Sequence, residues 1–166
     1  MFELEDELFI KYASNVENIA EPNRFSVRKK YWRQILPLLK HTNLFTNVNP
    51  SKDHWLSIGA GIGGLAYTLI ITKSNIRIEL GISTASKENN KSYFKKLFKH
   101  KEAIDLAFGH PLEWEELPDN KMSRVKFELQ NVNLFNEAHW EEMNAFFVNY
   151  LPKFENAFQP LLKNIK

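Results

Sequence analysis

The chain has no cysteine, so it can form neither a disulfide bond nor a thiolate metal site. It also has no run of about 18 apolar residues, the length at which a segment is read as a membrane-spanning helix. Its beginning, from Met1 to Glu7, is acidic and lacks the basic residues that open a signal peptide. These absences predict a cytoplasmic protein that does not associate with membranes.

The net charge is also small, and recognisable catalytic motifs are few. The formal charge of +2 is too small to indicate nucleic-acid binding by itself. The five histidines include no close pair at the spacing of metal ligands. Neither a G-x-S-x-G string nor a Walker string occurs. We therefore expect no metal and no cofactor, and the sequence leaves open whether the protein is an enzyme.

Apolar and aromatic residues are plentiful. Hydrophobic residues make up 43% of the 166 residues and aromatic residues 13%, enough to build one core. Apolar residues recur at intervals of three and four near the start of the chain, which is typical of an amphipathic helix. We expect an N-terminal helical arm at residues 1–24 and a single α+β domain at residues 25–166.

The glycine-rich stretch between Trp55 and Ile82 has two interpretations. Gly59, Gly61 and Gly64 spell G-x-G-x-x-G, and an acidic residue, Glu79, follows further along, as in a dinucleotide-binding unit. That unit needs a helix directly after the last glycine. Residues 65–72 are instead rich in β-branched and aromatic types and have no polar face, which favours a strand.

The second interpretation is a β-hairpin in which residues 67–72 pair with residues 76–82. In the second strand apolar residues alternate with Arg77, Glu79 and Gly81, the period of two that places one face on a core and the other in water. Glu79 is then an outward-facing strand residue rather than a ribose ligand.

The remaining elements follow from periodicity and turn residues. The pattern predicts a mainly antiparallel sheet of about four strands with helices on one side, in the order ααββαββα. Beyond the hairpin and the arm, the predicted elements are a helix at 25–41 with a kink or a break at Pro37, a loop at 42–54, a helix at 87–108, strands at 112–117 and 124–129, and a last helix from near Asn136 kinked at Pro152.

Basic residues cluster on two of the predicted helices. A basic helical stripe can track a phosphate backbone, but it is also the usual composition of a solvated helix face. Both readings stay open at this point. The nucleic-acid-binding candidates are Arg28, Lys29 and Arg33 on the first helix of the domain, and Lys91, Lys95 and Lys99, which recur every four residues, on the helix at 87–108.

Catalytic candidates come from the polar residues that the predicted fold could gather. Loops on a rigid scaffold often carry function, which makes Asp53 and His54 candidates. Arg77, Glu79 and Arg124 are expected on the water-facing side of the sheet. They form either a mutually neutralising surface lattice or, if the loop folds over them, a closed polar site.

Eight segments of the chain match the pattern of a known family: Tyr31-Trp32, 47–57, Gly59–Gly64, Arg77–Leu80, Asn90-Lys91, Lys101–Ile104, Phe108–Glu115 and Ser123-Arg124. Together they resemble domain-of-unknown-function family 4268 over roughly residues 28–162. The resemblance implies a bacterial or archaeal protein and a domain that often follows a nuclease-like domain in the same chain. Residues 1–27 precede the resemblance here, so we expect a stand-alone form.

Three functions remain as hypotheses from the sequence. The first is a non-catalytic binding module associated with nucleic-acid transactions or defence systems, whose partner is nucleic acid or protein; a homodimer is compatible with the sequence. The second is a nuclease-related enzyme with its site on the polar side of the sheet. It has little motif support, because Glu79-Leu80-Gly81 lacks the lysine of a (D/E)-x-K string. The third is dinucleotide binding through Gly59–Gly64.

Overall fold

Residues 21–165 are described by the computed structural model, with side chains described from Asn23 onward. Of the arm expected at residues 1–24, residues 1–20 lie outside the described residues, and residues 21–24 form the beginning of α1 instead of a separate segment. The elements are α1 (Glu21–Ile35), a 3₁₀ helix (Leu36–Thr42), β1 (Trp55–Gly59), β2 (Leu65–Ile71), β3 (Asn75–Ile82), α2 (Lys87–Phe98), α3 (Lys101–Phe108), β4 (Glu113–Glu115), β5 (Ser123–Gln130), a short 3₁₀ helix (Glu137–His139) and α4 (Trp140–Leu162).

The hairpin predicted at the centre of the chain is formed by β2 and β3. The two strands are antiparallel, with Leu69 opposite Ile78. Thr72 closes the turn, because its Oγ1 accepts hydrogen bonds from the backbone N–H of Ser74 at 3.1 Å and of Asn75 at 3.0 Å. The β-branched residues after Gly64 therefore build a strand, and the helix of a dinucleotide-binding unit is not present there.

The glycine-rich segment joins two antiparallel strands rather than a strand and a helix. Residues 55–59 form β1, which pairs with β2 so that Gly59 lies opposite Ala66. Gly61 and Gly64 have φ angles of +95° and +86°, values that residues with a side chain rarely adopt. β1 was not among the predicted strands, because its five residues end in this loop and show only a short alternation.

The sheet has five antiparallel strands in the order β1-β2-β3-β5-β4, one more than predicted. The chain leaves β3, passes through α2 and α3 to the edge strand β4, and returns as β5 between β3 and β4. Alternate residues of the strands build an inner face that the helices cover. The opposite side, here called the polar face, carries Arg77, Glu79, Glu113, Glu115, Arg124, Lys126 and Glu128.

Aromatic residues fill the space between the inner face and α4. Tyr67 of β2 contacts Phe154 with ring centroids 6.2 Å apart, and Phe127 of β5 stacks on Phe146 at 5.6 Å. Burying a side chain of this size contributes about 1.5–3 kcal/mol to folding. The high aromatic content of the sequence is thus explained by the core. None of the described helices is long and apolar enough to cross a membrane.

The predicted and observed helices differ in where the helical segments are interrupted. The helix expected at 25–41 is α-helical only to Ile35 and continues as the 3₁₀ helix, because Pro37 has no N–H to donate. The helix expected at 87–108 is divided into α2 and α3 around Lys99 and His100. By contrast, α4 runs through Pro152 as one element.

Candidate functional site

A cavity of about 350 Å³ lies at the end of the sheet where the β2–β3 turn faces α1. We call it the basic pocket, because four of the side chains that line it are basic. None of the described residues that line it carries a carboxylate. Its lining comprises Arg24 and Arg28 of α1, His54 of the loop before β1, Ile71, Thr72 and Lys73 of the hairpin, and Leu134 and Phe135 after β5.

Local structure places the basic side chains on one side of this cavity. Arg24 and Arg28 are four residues apart on α1 and therefore project from the same helix face. The indole N–H of Trp32 donates to the carbonyl of Asp53 at 2.9 Å, which holds the loop against α1. The carbonyl of His54 accepts the N–H of Ile71 at 2.9 Å, so the loop is also fixed to the end of β2.

The opposite wall of the basic pocket is the segment after β5. The N–H of Leu134 donates to the carbonyl of Thr72 at 3.0 Å, and the N–H of Asn131 donates to the carbonyl of Ser74 at 3.1 Å. These two bonds dock residues 131–135 on the hairpin turn. Phe135 is half-buried and lines the cavity. The pocket lining therefore combines basic side chains with an aromatic one.

The surroundings of His54 disfavour its protonated form. Partial desolvation lowers the pKa of His54 below its ordinary value of 6.5, and the charges of Arg28 and Arg77 lower it further. Asp53 acts in the opposite direction and does not compensate for them. The neutral imidazole of His54 is therefore favoured by partial desolvation and by the nearby guanidinium groups.

Charged residues on the polar face of the sheet form a continuous network. Glu79 is only 5% exposed, and its carboxylate accepts a hydrogen bond from Arg77 Nε at 2.5 Å and lies 3.6 Å from Arg124 Nη1. Lys126 Nζ lies 2.9 Å from a Glu128 oxygen and 3.5 Å from one of Glu115. The predicted common face of Arg77, Glu79 and the β5 residues is thus confirmed.

Partial burial and opposite charges compete within this network, and the charges prevail. Burial by itself would raise the pKa of Glu115, but the hydrogen bond and charge of Arg124 and the charge of Lys126 hold it below its usual value. Burial would likewise lower the pKa of Lys126, which the bond to Glu128 and the neighbouring carboxylates raise instead. The charged forms of Glu115 and Lys126 are therefore stabilised by their neighbours.

The five catalytic candidates are divided between two places. Arg77, Glu79 and Arg124 meet on the polar face, within the charge network. Asp53 and His54 lie in the loop at the basic pocket, where His54 is within electrostatic reach of Arg77. In the part of the chain that the structure describes, no three His, Asp or Glu side chains are grouped so that they could hold a metal ion.

The nucleic-acid-binding candidates are likewise dispersed. Arg28 lines the basic pocket, whereas Lys29 and Arg33 are exposed elsewhere on α1. Lys95 is exposed on α2, and Lys99 is exposed at the C-cap that ends this helix. The sequence interpretation missed two residues, Arg24 and Lys73. The signal for Arg24 was its spacing of four from Arg28, and Lys73 had no signal beyond its place in a turn.

Lys91 has a different role from its neighbours on α2. Its Nζ donates to the carbonyls of Glu116, Leu117 and Met122 at 2.5, 2.8 and 2.8 Å, and to Ser123 Oγ at 2.9 Å. These bonds anchor the loop between β4 and β5 on the helix. With its donors directed inward, Lys91 is a structural residue, and we leave it out of the candidate interface.

The adjacent Asn90 fixes the other end of the same region. Its side chain is fully buried, and its Oδ1 accepts hydrogen bonds from the N–H of Thr84 at 2.8 Å and from Thr84 Oγ1 at 2.6 Å. Its Nδ2 donates to the carbonyl of Lys121 at 3.0 Å. The pair Asn90-Lys91 therefore ties α2 to both the end of β3 and the start of β5.

Comparison with known proteins identifies one family. No curated protein and no solved structure matches the chain. The family model described as a domain of unknown function, DUF4268, matches residues 27–162. The match includes the structural pair Asn90-Lys91, the glycine loop and most of the basic pocket; Arg24 precedes it. With most of its length covered by this family model, the chain belongs to the DUF4268 family.

Proposed function

We propose that this protein is a non-catalytic, cytoplasmic binding module whose ligand is nucleic acid, and that the basic pocket takes the phosphates. The observation that carries the proposal is the convergence of Arg24, Arg28, His54 and Lys73 on one cavity. These side chains come from three separate parts of the chain.

The chemistry of the basic pocket suits phosphate oxygens. A guanidinium group offers paired N–H donors that match the geometry of a phosphate, and a lysine ammonium adds a compact point charge. Both types are present, in Arg24, Arg28 and Lys73, while Thr72 adds a polar side chain. A diester phosphate placed there would lie beside these groups, and none of the described lining residues carries a carboxylate.

Basic residues beyond the cavity favour a polyanion over a small anion. Lys52 is exposed beside α1, and its Nζ lies 5.1 Å from the centre of the Phe25 ring. Arg28 approaches the same ring, with its Cζ 5.9 Å from the centre, and its Nη1 donates to the carbonyl of Lys52 at 3.5 Å. A strand of nucleic acid leaving the pocket would meet further positive charge on this surface.

The polar face of the sheet gives less support to the nuclease-related alternative. Glu79 is engaged by Arg77 and Arg124, so the carboxylate that would act in catalysis is already neutralised. The other two candidates, Asp53 and His54, lie in the loop before β1, and of these only His54 lines the basic pocket. A catalytic site would need all these groups around one substrate, whereas a binding module needs only the pocket.

The proposal is tested by titrating full-length protein into a fluorescein-labelled DNA oligonucleotide and measuring fluorescence anisotropy. We expect the protein to bind the oligonucleotide. The logarithm of the association constant should fall linearly with the logarithm of the salt concentration between about 50 and 200 mM, since phosphate contacts release counterions. The variants Arg28→Gln and Lys73→Gln should each weaken binding and reduce the salt slope by about one.

Lys99→Gln is the matched control. It removes the same charge from an exposed site on α2, away from the pocket lining, and should change affinity much less than Lys73→Gln. If the two lysine variants had equal effects, the binding site would have to be assigned to the surface around α2 instead of the pocket. Absence of binding at about 50 mM salt would contradict the proposed function itself.

A further inference from the structure

We infer that the protein forms a two-fold symmetric homodimer in which the edge strand β1 pairs antiparallel with β1 of a second copy. The inference concerns a surface other than the basic pocket and does not depend on the proposed function. It starts from the position of β1, which pairs with β2 on one side and has no strand of the described residues on the other.

Hydrogen bonds at the two ends of β1 show which of its backbone groups face outward. The carbonyl of His54 accepts the N–H of Ile71, and the N–H of Ala60 donates to the carbonyl of Leu65, both at 2.9 Å. In an antiparallel pair, residues that bond to the neighbouring strand alternate with residues that do not. The even-numbered residues of β1 therefore bond to β2, and the odd-numbered residues direct their N–H and carbonyl groups to the open edge. These outward residues are Trp55, Ser57 and Gly59.

The two edges of the sheet differ in how they are protected from pairing. Native edge strands are usually kept unpaired by charged side chains, by proline, by a bulge or by being very short. β4 has only three residues, and two of them are glutamates. β1 has five residues, Trp-Leu-Ser-Ile-Gly, with neither a charge nor a proline among them. Because no described backbone group bonds to its outward side, this edge can accept another strand.

A two-fold axis at Ser57 lets a second copy of β1 use all the outward groups. Ser57 then lies opposite Ser57 of the second copy, and Trp55 lies opposite Gly59 of the second copy. Each of these pairs exchanges two hydrogen bonds. A shift of the register by two residues would leave one outward residue of each strand without a partner in the other strand. The strand is therefore complementary to itself in one register.

The side chains of β1 favour a second copy over an unrelated segment. In this register the ring of Trp55 lies beside Gly59 of the second copy, and the symmetry repeats the contact on the other side of the axis. A Cβ on Gly59 would meet nothing within 4 Å, so the ring has room there. An aromatic residue opposite an edge glycine covers the backbone that the glycine leaves exposed. The strand carries no charge, so two copies approach without repulsion.

The chain has no cysteine, so one introduced thiol reports this pairing without interference. Full-length Ser57→Cys is oxidised with diamide, and the disulfide-linked dimer is measured by non-reducing gel electrophoresis. The two Cα atoms at position 57 should be about 5.5 Å apart, within the range of about 4.4–6.8 Å that a disulfide bond spans. Ser74→Cys, in the exposed β2–β3 turn, is the control for random collision. Ser57→Cys should link at least about tenfold faster, because pairing raises the effective concentration of the two thiols.

Charged substitutions test the same register by analytical ultracentrifugation. The wild type should sediment with the mass of two chains. Ser57→Lys and Ser57→Glu should each sediment with the mass of one chain, because like charges then lie opposite each other across the axis. An equal mixture of the two variants should regain the mass of two chains. Circular dichroism spectra like that of the wild type establish that both variants fold, as expected for an exposed side chain.

Three results would overturn the inference. The first is a wild type that sediments as one chain at high micromolar concentration, or equal cross-linking of Ser57→Cys and Ser74→Cys. The second is a dimer that persists in both charged variants, which would assign the interface to another surface. The third is a mixture of the charged variants that stays monomeric. These measurements are separate from the anisotropy titrations, so the inference and the proposed function can fail independently.

Discussion

A Cβ atom on Gly64 would lie 2.5 Å from Cγ2 of Thr84 and 2.9 Å from its Cα. Thr84 cannot easily move away, because its Oγ1 donates to Asn90 Oδ1 at 2.6 Å and accepts from the N–H of Ser86 at 3.2 Å. The glycine that completes the G-x-G-x-x-G string is therefore required by close packing of the loop on the end of β3. This packing explains the presence of Gly64 without a bound nucleotide.

Gly64→Ala should lower the free energy of unfolding by about 2–5 kcal/mol, since it adds both a strained positive φ and a clash. Urea denaturation measures this change. Gly63→Ala is the matched control, because its Cβ would meet open space and its φ is not positive; it should change stability by less than about 1 kcal/mol. Equal effects at the two positions would contradict the packing explanation.

Glu79→Gln should destabilise the protein by about 2 kcal/mol, because it leaves Arg77 and Arg124 without their shared, nearly buried carboxylate. This loss of stability is larger than the loss expected from breaking ion pairs on an exposed surface. Glu113→Gln removes a carboxylate from the same face, but its side chain is 57% exposed and 3.5 Å from Lys126, so the loss should stay below about 1 kcal/mol. A smaller effect at Glu79 than at Glu113 would contradict the importance of burial.

Lys91→Met should cost about 2–3 kcal/mol of stability, because the three loop carbonyls and Ser123 lose a charged donor. The folded variant should retain the wild-type affinity for nucleic acid, since Lys91 is directed inward. Lys99→Met, on the same helix and exposed, should change stability by less than about 0.5 kcal/mol. Thermal denaturation and anisotropy on the same samples test both statements.

Nucleic-acid binding should tighten as the pH falls through 6.5 and below, because a phosphate raises the pKa of His54 that burial, Arg28 and Arg77 hold down. In the absence of ligand, lowering the pH has the opposite effect on folding stability. The pKa of His54 is lower in the folded than in the unfolded protein, so the free energy of unfolding falls as the pH drops below 6.5. The carboxylate of Asp53 acts in the opposite direction and reduces the shift.

Anisotropy titrations at several pH values measure this linkage. His54→Gln should abolish most of the pH dependence, whereas His100→Gln, an exposed histidine outside the pocket lining, should leave it intact. A pH dependence that survives in His54→Gln would assign the titrating group to another site.

Local pattern was sufficient for much of the fold. The alternation around Ile78 and around Val125 predicted β3 and β5, because the side-chain period of a strand is written directly in its own residues. The hairpin followed from β-branched residues on either side of the Thr72 turn. Helix breaks and the short strand β1 were not predictable in this way, since backbone and partner contacts decide where brief elements begin and end.

The sequence by itself determined the α+β class, the hairpin, the common face of Arg77 and Glu79, and the family. Only the tertiary structure decided that Glu79 is nearly buried, that Lys91 points inward, and that Arg24, Arg28, His54 and Lys73 line one cavity. Periodicity tells which side of its own element a residue occupies, but the meeting of separate elements depends on packing. The candidate site is such a meeting, because its charge is the sum of side chains that lie far apart along the chain.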